Sequence, residues 1–177
     1  MKFTKFALIV MLAIAGQAAL LAWQVTKETR DGIKNFARVE TTVACAGAIT
    51  ADAMPEIKKM GFVSVINLRE AQEPGADIEK HRAAAEAAGL RYYHVPFNGA
   101  KPDPKVADQF VKVISSKEAA PAFIHCVSAN RASAMWLIKR IVVDGWEVER
   151  AETEAEALGL TNAALKQWAI EYARPDR

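Results

Sequence analysis

Phe123-Ile124-His125-Cys126-Val127-Ser128-Ala129-Asn130-Arg131-Ala132-Ser133 is the stretch on which the reading turns. Pro121 to His125 is short and apolar, and Ala132 to Val143 is an apolar helix stopped by Asp144-Gly145. The segment therefore reads as a buried strand, a tight loop and the start of a helix. In that setting the amides of Val127, Ser128, Ala129, Asn130 and Arg131 converge on one point, where unpaired N–H groups and the positive helix end both favour negative charge. The same field favours a thiolate, which makes Cys126 the candidate nucleophile. Arg131 is the candidate ligand for an oxyanion, which its guanidinium grips with two parallel hydrogen bonds. His125 is expected to point away and to support the loop through hydrogen bonds. A buried structural cysteine at a strand end is the competing reading of Cys126.

Outward from this stretch the chain alternates. Glu40 to Cys45, Phe62 to Leu68 and Arg91 to Phe97 read as further strands. Helices are expected from Ala51 to Met60 behind a Thr50 cap, from Asp77 to Ala88, and from Pro104 to about Ser115 behind an Asp103 cap. Two more follow, over Glu147 to Ala157 and Thr161 to Ala173, with Gly159 between them. Such alternation predicts an α/β domain over residues 40–177, with a mostly parallel central sheet flanked by helices on both faces. Ligands collect at the carboxyl ends of strands in such sheets, so the segments after Leu68, Phe97 and His125 are the ones to search.

Residues 24–39 are polar and irregular and read as a linker. Before them, Lys2 and Lys5 precede a run from Phe6 to Trp23 without a charge, which is the pattern of an export signal over residues 1–23. Ala13-Ile14-Ala15 suits cleavage; the full run of 18 residues suits an inner-membrane anchor at the lower limit of length. Both place the domain outside the cytoplasm, periplasmic or anchored with the domain outside, and membrane contact is expected only through this segment. Removing Lys2 and Lys5 leaves 21 basic residues against 21 acidic, so the folded part is near neutral. That balance excludes nucleic acid as a partner. At 177 residues the chain suits one domain. Neither His81 nor His94 has neighbours at metal-ligand spacing, and the reading invokes no metal and no cofactor.

The Cys126 stretch resembles the signature loop of the protein tyrosine and dual-specificity phosphatase superfamily: His-Cys, a short spacer, then Arg. Val43 to Arg69 (VACAGAITADAMPEIKKMGFVSVINLR) resembles the opening of the bacterial beta-lactamase-hydrolase-like, phosphatase-like domain family, and Glu147 to Leu160 (EVERAETEAEALGL) resembles its closing helix. The resemblance covers about residues 40–172. It implies a phosphatase-like, cysteine-loop fold, a covalent intermediate on Cys126, and Arg131 as the anion ligand. Three features depart from the pattern. Four residues separate Cys126 from Arg131 where five are usual, giving a six-residue ring like the sulfur-carrying loop of rhodanese sulfurtransferases. Ala129 stands where glycine is usual, which restricts positive φ. Ala132 stands where a hydroxyl residue normally follows the arginine, leaving Ser133 or Ser128 to stabilise a thiolate.

The resemblance places a general acid in the loop FNGAKPDP after the third strand. Asn98 and Gly99 lie nearest the expected position, and Asp103 is the loop's carboxylate; its other reading is a plain helix cap. Glu70 and Glu73 either reach the site or lie in a solvated loop, and Arg69 either adds charge to the pocket or pairs with them. Cys45 is a small buried hydrophobe or a resolving thiol for Cys126. Three functions are compatible with these residues. The first is hydrolysis of a phosphomonoester through a phosphocysteine, on a small anionic or phosphorylated substrate. The second is rhodanese-like sulfur transfer through a persulfide on Cys126, and the third a non-catalytic anion-binding module. The sequence specifies no oligomeric state.

Overall fold

A computed structural model describes residues 25–174. The expected export segment lies outside them; among the described residues no helix is long and apolar enough to cross a membrane.

Six strands form one sheet: β1 (Val25–Arg30), β2 (Ile33–Val39), β3 (Val43–Ala46), β4 (Ser64–Asn67), β5 (Arg91–His94) and β6 (Ala122–His125). Their order is β1-β2-β3-β6-β4-β5. β3, β6, β4 and β5 are mutually parallel, while β2 is antiparallel to both β1 and β3. The helices are α1 (Met54–Lys59), α2 (Ile78–Ala87), α3 (Pro104–Ile114), α4 (Asn130–Val142), α5 (Val148–Ala157) and α6 (Ala163–Ala173).

The parallel strands are short and every residue of β3, β4 and β6 is buried, as a sheet covered on both faces requires. Alternation along β6 sends Phe123 to one face and Ile124 to the other. Phe123 packs with Phe36 and Phe62, at centroid distances of 6.0 and 5.6 Å, under α1 and α2. Burying such a ring contributes about 1.5–3 kcal/mol. Ile124 joins Ile66, Phe97, Phe110 and Trp136 under α3 to α6. α3 presents Ala107, Phe110 and Ile114 to that core, a one-face spacing, and is opened by the Asp103 cap with Pro104 in its first turn. Glu154 of α5 is buried, accepting from Trp136 Nε1 at 2.6 Å and Arg140 Nε at 2.7 Å, and so fixes α5 against α4.

The observed α/β architecture, mostly parallel and covered on both faces, is the one the alternation predicts. Residues 24–39 correct the linker reading: from Val25 onward they form a hairpin that extends the sheet past β3. β1 is an edge strand carrying Lys27, Glu28 and Arg30, and charge on an edge guards it against unwanted pairing, which hides the strand from a search for apolar alternation. The turn is Asp31-Gly32, with Gly32 at φ +72° between the paired Arg30 and Ile33. Two boundaries also move. Glu40 is a turn residue at φ +45°, so the next strand begins at Val43, and Thr50 precedes a 3₁₀ turn (Ala51–Ala53) without a side-chain cap.

In-register pairing aligns Ala46, His125, Asn67 and His94 at the carboxyl ends of the parallel strands. The segments beginning at Gly47, Cys126, Leu68 and Val95 therefore leave the sheet at the same end.

Candidate active site

Cys126 is the first residue beyond β6, and its amide donates to Ala46 O at 3.2 Å. The chain then turns through Val127, Ser128 and Ala129 into α4, which begins one residue before Arg131. Ala129 adopts φ +77°, so its methyl group does not prevent the left-handed turn. The loop holds a conformation costing about 1–3 kcal/mol, and strain of this kind persists only where surroundings enforce it.

Those surroundings are backbone and amide contacts from three distant segments. Ala48 N donates to Val127 O at 3.0 Å, and a Cβ on Gly47 would lie 2.7 Å from that same oxygen, so only glycine allows the approach. Asn35 of β2 donates to Ser128 O at 3.2 Å. Asn130 accepts from Thr161 N and Asn162 N, at 2.8 and 2.7 Å, joining the loop to the start of α6. Gly159 passes so close to Ala129 that a Cβ there would meet the Ala129 methyl at 3.2 Å. First-turn amides of a helix lack intrahelical acceptors, and α4 begins four residues after Cys126.

Cys126 is 1% exposed. Arg131 turns inward, its side chain 12% exposed. Its Nη1 donates to Glu73 Oε1 at 2.6 Å, Phe97 O at 2.9 Å and Leu68 O at 3.2 Å, and Nη2 donates to Glu73 Oε2 at 2.8 Å. Burial opposes its charge, yet the Glu73 carboxylate and then the Cys126 sulfur raise its pKa above the usual value. Nε and the second Nη2 hydrogen take no oxygen acceptor among the described residues. An arginine edge of this kind can take a phosphate or carboxylate through two parallel hydrogen bonds.

Glu73 resolves the two readings of its loop: it reaches the site. It also accepts from Glu70 N at 2.8 Å and Arg69 Nε at 3.4 Å. Burial would push its carboxyl up, but the donors from Arg131, Glu70 and Arg69 hold it at about 2. Arg69 is spent on this loop, donating to Pro74 O at 2.6 Å and Gly75 O at 2.8 Å as well. Nothing in local sequence spacing announces the Glu73–Arg131 pair, whose members are 58 residues apart.

His125 departs from expectation in one respect. Sheet alternation does turn it away from Cys126, but neither ring nitrogen has a hydrogen-bond partner among the described residues. It packs edge to face with His81 of α2, at 6.1 Å between ring centroids. Burial first, then the nearby His81 and Arg69, push its pKa down to about 3, so the ring is neutral. Ser133 is buried against Cys45, whose thiol is pushed well up by burial and remains protonated. Both cysteines are free. Asn98 donates to Glu70 Oε2 at 3.0 Å and accepts from Ala100 N and Lys101 N, forming a local turn. A Cβ on Gly99 would lie 3.2 Å from Arg131 Cγ, so the loop after β5 packs on the arginine stem. Asp103 caps α3 through Oδ1, which accepts from Lys105 N at 2.9 Å.

Residues 35–143 match the family described as beta-lactamase hydrolase-like protein, phosphatase-like domain. A beta-lactamase hydrolase-like protein of Xylella fastidiosa (strain Temecula1 / ATCC 700964) is 32% identical over 146 residues, covering 77% of this chain and 33% of its own length. The chain thus spans about a third of the length of that relative. Among solved structures, TpbA of P. aeruginosa is similar with a TM-score of 0.63 at 21% identity, covering 86% of this chain and 89% of that one. The core catalytic domain of the PP-IP phosphatase SIW14 of S. cerevisiae has a TM-score of 0.66 at 14% identity, covering 81% and 88%. These two likenesses are likenesses of fold. With a family match over most of the folded part and a curated relative above 30% identity, the chain belongs to the beta-lactamase hydrolase-like, phosphatase-like domain family.

Proposed function

We propose that the protein is a cysteine-dependent phosphatase that hydrolyses a phosphomonoester through a phosphocysteine on Cys126. The observation that carries this is the inward-turned Arg131, five residues after Cys126 on a loop with Ala129 at φ +77°, and fixed there by Glu73, Leu68 O and Phe97 O. Two structural neighbours add support for an anionic substrate: a variant of TpbA is in complex with pTyr, and the SIW14 domain is in complex with citrate.

In this reading the loop amides and the free edge of Arg131 hold the non-bridging oxygens and stabilise charge that builds on them in the transition state. The Cys126 thiolate attacks phosphorus, and the P–O bond to the leaving group breaks. Asp103 delivers a proton to the departing oxygen; its cap uses Oδ1, leaving Oδ2 for the proton. Water then attacks phosphorus, the P–S bond breaks to restore the thiolate, and Asp103 takes the proton from that water. Such acid–base assistance contributes roughly 10²–10⁴ in rate.

The six-residue ring from Cys126 to Arg131 favours a second reading, sulfur transfer, because a tight ring suits one sulfur atom and the step needs no general acid. One experiment separates the readings: an aryl phosphate, and thiosulfate with cyanide, are assayed side by side with wild type and Cys126→Ser. Phosphate release abolished in the variant is the expected result. Thiocyanate formation abolished in the variant instead would replace the proposal with sulfur transfer, and neither activity with retained phosphate binding would leave an anion-binding module.

The proposed place of action is outside the cytoplasm, on the evidence of Lys2, Lys5 and the uncharged run from Phe6 to Trp23. A carboxyl-terminal fusion to a reporter active only after export is expected to be active; a silent reporter with intact protein would refute this.

A further inference from the structure

Beside the Cys126 loop, at its outer edge, lies a cleft of about 720 Å³. One wall is the β1–β2 hairpin, with Lys27 and Lys34; the other is the loop itself, through Ser128 and Asn130, with Thr161 at the start of α6. This volume is within the range of small-ligand sites, which bury most of a bound molecule between such walls.

The junction between the walls is built. Asn35 adopts φ +49° and sends its side-chain amide across to Ser128 O. On either side of Lys34 the backbone is closed against the segment after β3: Lys34 N donates to Ala48 O at 2.9 Å and Gly47 N to Lys34 O at 2.7 Å. Gly47 and Ala48 are the residues that also hold Val127. The root of the Lys34 side chain is therefore held in register with the loop by main-chain contacts.

The charge on this wall is uncompensated. Glu28, the carboxylate of the cleft, is paired with Arg30, whereas neither Lys27 nor Lys34 has an ion-pair partner among the described residues. Arg131 does not serve this region, because Glu73 neutralises it on the far side of the loop. Two ammonium groups facing a cleft that abuts the nucleophile's loop attract negative charge, and the attraction strengthens as the guest displaces water.

We propose that this cleft holds a second anionic group of the substrate, a carboxylate or phosphate carried on the leaving-group side, while the scissile phosphoryl group occupies the Cys126 loop. The inference rests on the phosphatase reading above and adds to it a substrate class: esters with at least two anionic centres. An acidic side chain beside a phosphorylated residue and a second phosphate on a small metabolite present the same chemistry to Lys27 and Lys34.

The test uses the full chain and two matched pairs of probes. One pair is a phosphotyrosine tripeptide flanked by Glu or by Gln; the other is fructose 1,6-bisphosphate against fructose 6-phosphate. Affinities are measured calorimetrically on Cys126→Ser and, in parallel, kcat/KM on wild type, each at low and high salt. In at least one pair the more anionic member is expected to be preferred tenfold or more at low salt. That preference should shrink with salt and fall to within twofold in Lys27→Gln/Lys34→Gln, while the less anionic member is unaffected by the two substitutions. The pair that shows the preference identifies the source of the second anion. Absence of preference in both pairs, with the less anionic members still bound, overturns this inference and spares the loop; a preference indifferent to both lysines overturns it too. Failure of every phosphate ester to bind would instead overturn the phosphatase reading.

Discussion

Glu73 holds Arg131 with both carboxylate oxygens, at 2.6 and 2.8 Å, from a loop at the end of a different strand. The two side chains are mostly buried, 17% and 12% exposed. The contact fixes the guanidinium plane through Nη1 and Nη2 and leaves Nε without an oxygen acceptor among the described residues.

Replacing Glu73 by Gln removes this charge at nearly constant shape. Stability at neutral pH is expected to fall by about 1–3 kcal/mol, between the values for exposed and buried pairs. The sign with pH follows from the carboxyl's being held at about 2, below its ordinary value of 4.5. Its stabilisation is complete above 4.5 and is lost as pH falls through 2. Urea midpoints of wild type and variant should therefore converge as the pH is lowered across that window; a constant gap would contradict the assignment.

The Cys126 loop is also held by the absence of a side chain. Gly47→Ala would put a methyl group 2.7 Å from Val127 O and 3.2 Å from Lys34 O, both main-chain atoms that cannot rotate away. The loop must shift, and displacements near 1 Å at a reacting group are costly. We expect kcat/KM for an aryl phosphate to fall at least tenfold, with the melting temperature lowered as well. Activity within twofold of wild type would show that the close approach of Gly47 to Val127 O does not position the nucleophile.

Much of this molecule is legible in its sequence, for a physical reason. The parallel strands are buried on both faces, so they read as short apolar runs, and glycines such as Gly61, Gly89 and Gly159 mark where helices stop. Cys126 and Arg131 stand out as candidates in the sequence because they lie five residues apart at one strand-to-helix junction. What escapes is non-local or polar by necessity. The hairpin of β1 and β2 forms a charged sheet edge, and Asp31-Gly32 is the local signal that marks its turn. Glu73 reads as an ordinary loop residue until the sheet brings the ends of β4 and β6 together. The service of Asn130 to Thr161 and Asn162 likewise depends on where α6 docks.

Arg131→Ala should weaken binding of phosphate or vanadate at least tenfold, because two charge-assisted hydrogen bonds are lost from a site shielded from water. Calorimetric titration reads this directly. Unchanged affinity would remove Arg131 from the site even though its side chain faces the sulfur.

The role given to Asp103 can be separated from its role as a cap, since Asn caps helices about as well as Asp. Asp103→Asn should keep the contact with Lys105 N and the melting temperature of wild type. It should lower kcat roughly 100-fold for an alkyl phosphate, whose leaving oxygen needs a proton, and much less for a nitrophenyl phosphate, whose leaving group departs as an anion. Equal kcat for wild type and variant on the alkyl ester would leave Asp103 as a cap alone.

His125 gives the fold a sensitivity to acid distinct from that of Glu73. Its ring is fully buried and neutral, with a pKa pushed from 6.5 to about 3, and His81 against it is lowered as well, chiefly by burial. Between pH 6.5 and 3 the unfolded chain binds a proton at His125 that the folded chain excludes, so stability rises with pH across that interval and is lost on acidification, and the lowered His81 acts in the same direction. The loss due to His125 is on the order of a few kcal/mol over the whole window. His125→Phe keeps an aromatic ring against His81 and removes the titrating nitrogens, which have no partners to lose. Removing an unsatisfied buried polar group costs little, so the variant should be about as stable as wild type near pH 7 and more stable near pH 5. Chemical denaturation at those two pH values decides the matter: parallel losses in the two proteins would place the acid sensitivity elsewhere.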